Sequence, residues 1–184
     1  SVVITPSLAT SATIPALTHN RVFVPYSMNT LASKDETLNR FLIANQLFGV
    51  PVKHVSDVLT VGLNGMTPLT KNNGNRVDDF DVWGNYNLFG FIDFDSSPTA
   101  WFKPFGSNEV YVKNANVYRD SAVARYEAMR KSAVDVGQRK IDYVYVGHYE
   151  KSYSTTDFDA VSYAQKVYSA NDISIYTIDQ NKIK

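Results

Sequence analysis

No cysteine occurs anywhere in the chain, which removes disulfide scaffolds, thiolate metal sites and cysteine nucleophiles at once. Net charge is missing too: eighteen basic residues balance eighteen acidic ones. No global field therefore draws nucleic acid or an anionic membrane surface, and nucleic acid is not expected as a partner. No apolar run approaches the roughly 20 residues of a membrane span, and no basic stretch leads an apolar signal core. Histidine is scarce, and His19, His54 and His148 stand far apart without an H-E-x-x-H spacing, so a catalytic zinc site is not expected. G-x-S-x-G, G-x-x-x-x-G-K-[ST] and a helix-opening G-x-G-x-x-G are all missing, which weakens hydrolase, P-loop and dinucleotide readings.

What is present fits one α/β domain over residues 1–184, with 60–118 as an inserted β-rich subdomain. At 184 residues, 44% apolar and 20% charged, the chain is long enough for a substantial core. Val2–Thr5 and Arg21–Val24 read as short strands stopped by Pro6 and Pro25. "SATIPALTHN" has room only for a short helical turn before Pro15. Ser33 and Glu36 form a capping box for a helix with an apolar stripe of Leu38, Phe41, Leu42, Leu47 and Phe48, stopped by Gly49 and Pro51. A second helix is predicted from about Ser121 to Val136, ended by Gly137. A third is predicted from about Asp157 to Ser169 behind Thr156 as N-cap. Ile141–Val146 is the most strand-like run, and Ile173–Ile178 closes the chain as a strand. Strands alternating with helices predict a layered, mostly parallel, Rossmann-like sheet with helices on its faces.

The segment 60–118 differs in character. Its stretch 80–105 holds nine aromatics, including both tryptophans, and 109–118 reads as a strand or hairpin. Trp83 and Trp101, with their aromatic neighbours, suit either sugar stacking, a place at a bilayer interface, or the core of a small subdomain. Asp79-Phe80-Asp81 and Asp93-Phe94-Asp95 both spell D-x-D. Carboxylates two apart on a strand share a face and can reach a divalent cation, Ca²⁺ being the better candidate; ordinary turns also place Asp this way.

"IDYVYVGHYEKS" (141–152) runs a core strand into a polar stretch, the kind of junction at which α/β proteins bind ligands. Gly147, His148, Tyr149 and Glu150 are the candidate ligand-binding residues there: glycine for a sharp turn, Tyr149 to stack, Glu150 to accept hydroxyl protons. The plainer alternative is a strand exit with an exposed histidine and a solvated Glu–Lys pair.

Several stretches together form an ordered set: "VVITP", then Ile14, Pro15, Ala16, Thr18, Arg21 and Val22, then Ile141, Asp142, Tyr143, Val144, Gly147 and Glu150, then Val167, Tyr168, Asn171, Ile175 and Tyr176. The set resembles the extracytoplasmic C-terminal region of polytopic GT-C-type membrane glycosyltransferases. The likeness covers about 1–50 and 120–180, and 60–118 has no counterpart in it. The resemblance implies a domain of a longer protein on the extracytoplasmic face of a membrane, partnered by the membrane-embedded portion of the same polypeptide. That family's catalytic carboxylate lies between membrane helices, so no catalytic residue and no cofactor are expected in this chain. Its role would be to position a glycan acceptor or lipid-linked sugar. Alternatives are a free-standing α/β enzyme using Glu150 or His148 as acid/base, and a structural or partner-binding module.

Overall fold

The computed structural model describes residues 1–25, 32–61 and 109–183. Trp83, Trp101, the D-x-D carboxylates Asp79, Asp81, Asp93 and Asp95, and the aromatic stretch 80–105 lie outside the described residues.

The frame is a mixed five-stranded sheet. Strands β1 (Val2–Ile4), β2 (Arg21–Val22) and β3 (Tyr143–Val146) are parallel, with β1 between the other two. Strand β5 (Ile173–Ile178) pairs antiparallel with β3, and β4 (Ala164–Ala170) pairs antiparallel with β5 at the edge. The parallel arrangement expected from the sequence thus holds for β2, β1 and β3, and the β4–β5 hairpin makes the whole sheet mixed. β3 is its central strand, with Val144 and Val146 buried and Tyr143 and Tyr145 half-buried, the alternation a pleated strand imposes.

Helix α1 (Leu8–Leu17) connects β1 to β2. It runs through Pro15 rather than stopping before it. Ser7 caps its start by accepting the Thr10 N–H at 3.1 Å, and Leu8, Ala9 and Ser11 anchor its first turns in the interior. Proline then falls near the end, where its missing N–H forfeits one hydrogen bond without unravelling the anchored turns.

Helix α2 (Lys34–Leu47) is the centre of the core. Ser33 accepts the Glu36 N–H at 3.2 Å as expected, while the Glu36 carboxylate turns to Arg40 (Nε at 3.1 Å). Phe41, Leu42, Ile43, Ala44, Leu47 and Phe48 are all buried, so the helix is enclosed on nearly all sides toward its C-terminal end. Helix α3 (Val52–Val61), to which the sequence pattern assigns no element, follows at once and packs on α4 (Glu109–Met129).

Two further sequence expectations about the secondary structure need correcting. Residues 109–118 are the first half of α4, not a strand or hairpin, and α4 ends at Met129 rather than Val136. Valine and tyrosine weakly favour strands, and continuity with the helical stretch that follows overrides so small a preference. At the other end, the Gln46 amide donates to the carbonyls of Met129 and Ser132, adding to the Ser132 N–H and hydroxyl bonds that the Met129 carbonyl already accepts where α4 stops. Gly137 (φ +61) serves a later turn, in which the Asp135 carboxylate accepts its N–H at 2.7 Å. Tyr126 on α4 is fully buried and donates to the Val50 carbonyl at 2.7 Å, and burial pushes its phenol well above the usual range.

The second correction concerns 157–169, expected as a helix. A turn at Asp157–Ala160 leads instead into β4. Asn171 and Asp172 adopt left-handed φ of 48° and 66° between the paired Ala170 and Ile173, the geometry of a two-residue hairpin whose twist matches that of its strands. Phe158 lies beneath, edge-on to Phe48 at 4.8 Å and tilted against Tyr176 at 5.6 Å.

The junction of β1 with β3 gives a pH-dependent expectation. The Asp142 carboxylate accepts the Val2 N–H at 2.8 Å and sits 2.8 Å from the Lys140 ammonium. The hydrogen bond from Lys140, followed by that from Val2, holds its pKa below the usual value against a smaller opposing effect of burial. A carboxylate depressed in the folded state stabilises it above the ordinary pKa, and the contribution disappears as pH falls through the lowered value. Asp142→Asn should therefore melt below wild type near neutral pH, and the gap should close as pH falls below about 4. A gap in melting temperature that is independent of pH would refute this account.

Candidate functional site

Three elements meet at the C-terminal end of β3. Strand β1 ends at Ile4, and Thr5, Pro6 and Ser7, all buried, lead into α1. Val146 is followed by Gly147 and then by helix α5 (His148–Tyr153), so "HYEKSY" is a short helix rather than a loop.

Gly147 has φ −111° and ψ −161°, extended backbone open to any residue, so no left-handed turn explains the glycine. Close approach does: a Cβ here would lie 2.7 Å from Cε1 and 2.8 Å from the hydroxyl of Tyr145. The glycine lets the Tyr145 ring fold back over the strand end. Burial, and secondarily the charge of Glu150, raise the Tyr145 phenol's pKa.

Glu150 is the largest departure from the surface position its sequence context suggests. It is 0% exposed. Its Oε2 accepts the Gly147 N–H at 3.0 Å, the reciprocal half of a capping box at the start of α5. Its Oε1 accepts the Thr5 hydroxyl at 2.5 Å, and Thr5 Oγ1 in turn accepts the Ser7 N–H at 3.1 Å. One carboxylate thus joins β1, the entry to α1 and the start of α5. The expected solvated Glu–Lys pair does not form: Lys151 goes to Asp172, donating to its carboxylate at 2.5 Å and its carbonyl at 2.7 Å. That contact ties α5 to the β4–β5 turn and lowers the Asp172 pKa.

The groups left at the surface over the strand end are His148 and, half-buried, Tyr149. The His148 side chain is 84% exposed, with Nδ1 3.8 Å from the Asp172 carboxylate and its ring edge-on to Tyr149 at 5.9 Å. Farther along α5, Tyr153 stacks on His54 of α3 at 4.2 Å, and desolvation lowers the His54 pKa. His19 stands exposed between α1 and β2.

Chemically, the strand end combines a buried, fully engaged carboxylate with an exposed imidazole beside the Asp172 carboxylate and a half-buried phenol. The Glu150 carboxylate has both oxygens engaged inside the protein, while that of Asp172 is held at the surface by Lys151. Among the described residues, no three His, Asp or Glu side chains are placed to hold a metal ion. No described helix is long and apolar enough to cross a membrane. Sequence reasoning singled out Glu150 but missed Thr5, whose only signal is a small polar residue at the end of an apolar strand. No family model matches the chain, and no curated protein or solved structure matches it either.

Proposed function

We propose that this chain is a non-catalytic, extracytoplasmic α/β module of a GT-C-type membrane glycosyltransferase-like protein. In this reading its strand-end surface helps position a glycan acceptor or lipid-linked sugar beside the membrane-embedded portion of the same polypeptide. The observation that carries the reading is spatial. The separated stretches bearing the resemblance, 2–6, 14–22, 141–150 and 167–176, supply β1, the α1–β2 unit, β3 with the start of α5, and the β4–β5 hairpin. Together they make up the five-stranded sheet. The β1–α1–β2 unit supports a Rossmann-like layering, and in folds so layered ligands bind outside the C-terminal ends of the parallel strands. Gly147 and Glu150 shape the platform, and His148 and Tyr149 face the ligand.

The rival, a free-standing enzyme using Glu150 or His148 as acid/base, loses Glu150 to burial, which leaves that carboxylate no path to a substrate proton, and would have to rely on the exposed His148 beside Asp172.

Two measurements test the proposal. The gene should encode several apolar segments of about 20 residues each ahead of this domain, and a short, purely polar upstream region would refute it. In a transfer assay on the full-length protein, Tyr149→Ala should lower activity while its thermal melt stays close to wild type. Wild-type activity in that variant would remove the strand end from the site. Turnover of lipid-linked or nucleotide sugars by the isolated chain would show that the domain is itself catalytic.

A further inference from the structure

Away from the strand ends, a cleft of about 220 Å³ opens between α2, the end of α4 and the turn that follows it. Its walls follow from helical spacing. Asn39, Ile43 and Gln46 repeat at four and three along α2, and Arg125 and Met129 at four along α4, so each set lines one side. Arg139, beyond the Gly137 turn, closes one end.

The electrostatics are unbalanced. The Arg125 guanidinium donates to the Asn39 amide oxygen at 2.7 Å, a neutral partner, and no carboxylate pairs with it among the described residues. Arg139 stands 3.8 Å from the Glu36 carboxylate, which is already held by Arg40. Asp135, the one acid in the lining, uses one oxygen on the Gly137 N–H. Two guanidiniums therefore border a cleft whose acids are engaged elsewhere or outnumbered. The amide of Asn39 holds Arg125 in place, much as a built anion site pre-orients its fork of donors. Ile43 and Met129 supply apolar surface between the polar groups.

We propose that this cleft binds a small molecule carrying one carboxylate or phosphate, with Arg125 and Arg139 holding the oxyanion and Ile43 and Met129 packing against the less polar body. The volume is below that of a drug-sized pocket, so the ligand is small or enters by one terminal group. This site is separate from the strand-end surface, and its existence does not depend on the glycosyltransferase-like reading.

The test is an NMR titration of the whole chain with glucuronate, glucose 6-phosphate and, as uncharged control, glucose. One or both anions at millimolar concentration should shift the backbone signals of 132–139 and the Gln46 side-chain amide, and glucose should not. The two anions distinguish a carboxylate site from a phosphate site. Arg125→Ala should weaken binding about tenfold or more, with Arg125→Lys intermediate and both melting close to wild type. Spectra unchanged by both anions would overturn the proposal. So would shifts equally strong with glucose, or affinity unaltered in Arg125→Ala and Arg139→Ala.

Discussion

Glu150→Ala should destabilise the fold by about 3–4 kcal/mol, a large effect for one residue of a polar six-residue helix. The truncation strands two buried donors at once. The Gly147 N–H is an orphan of the α5 N-terminus, and its partner is the Glu150 carboxylate. The Thr5 hydroxyl loses its acceptor while still being required to accept from the Ser7 N–H, so it cannot simply rotate toward another group. Each unsatisfied buried donor costs about 1–3 kcal/mol, and the unfilled volume adds to that. Glu150→Gln should cost less, about 1–2 kcal/mol, because the amide oxygen can keep the Gly147 N–H while the NH₂ group meets Thr5. Urea denaturation with an unchanged m value would measure both. A loss below about 0.5 kcal/mol for Glu150→Ala would mean that the carboxylate is not the joint described above.

This result would reverse the simplest expectation for "HYEKS", in which alanine at 148, 149 or 150 is nearly neutral. The sequence context is responsible. Glutamate among histidine, tyrosine, lysine and serine reads as surface, and burial of a charged residue is rare unless it is paired. The pairing that makes it possible here comes from Thr5, 145 residues away, and no local window contains both. His148, by contrast, is exposed as its neighbours suggest.

The same division runs through the fold. β1, β3, β5 and α2 were legible because each carries its own local signal: β-branched runs for the strands, a capping serine and a terminal glycine for the helix. Where local signals compete, the periodicity is a poor guide to the element that forms. Phe158, Val161, Ala164 and Tyr168 happen to fall at helical spacing, yet the stretch ends in Asn171-Asp172 between two strand-like runs, the stronger cue for a hairpin. Nothing comparable marks 109–118, where a β-favouring composition was absorbed into a long helix.

Gly49→Ala should cost about 3 kcal/mol or more, through two causes that add. Gly49 has φ +64° and ends α2 in a Schellman arrangement: its N–H donates to the Gln46 carbonyl at 3.0 Å, and the Val50 N–H to the Asn45 carbonyl at 3.0 Å. A side chain at this φ pays a backbone strain of about 1 kcal/mol on its own. The second cause is steric. An added Cβ would collide with the Thr155 hydroxyl oxygen and come within 3.0 Å of that of Thr156. Those hydroxyls cannot withdraw cheaply, because "STT" (154–156) is wrapped over the end of α2. Ser154 donates to the Phe48 carbonyl at 2.8 Å, Thr155 to that of Gly49 at 2.7 Å and Thr156 to that of Leu47 at 2.9 Å. The Thr155 and Thr156 N–H groups add bonds to Phe48 at 3.0 and 3.1 Å. Alanine at 49 would thus strain the turn and pry away the segment that satisfies the last carbonyls of the core helix. Combining Gly49→Ala with Thr155→Ala separates the causes, since removing the Thr155 hydroxyl relieves the collision but leaves the strain. The double variant should be less destabilised than the sum of the two single ones, and strict additivity in urea unfolding would show that the contact does not matter.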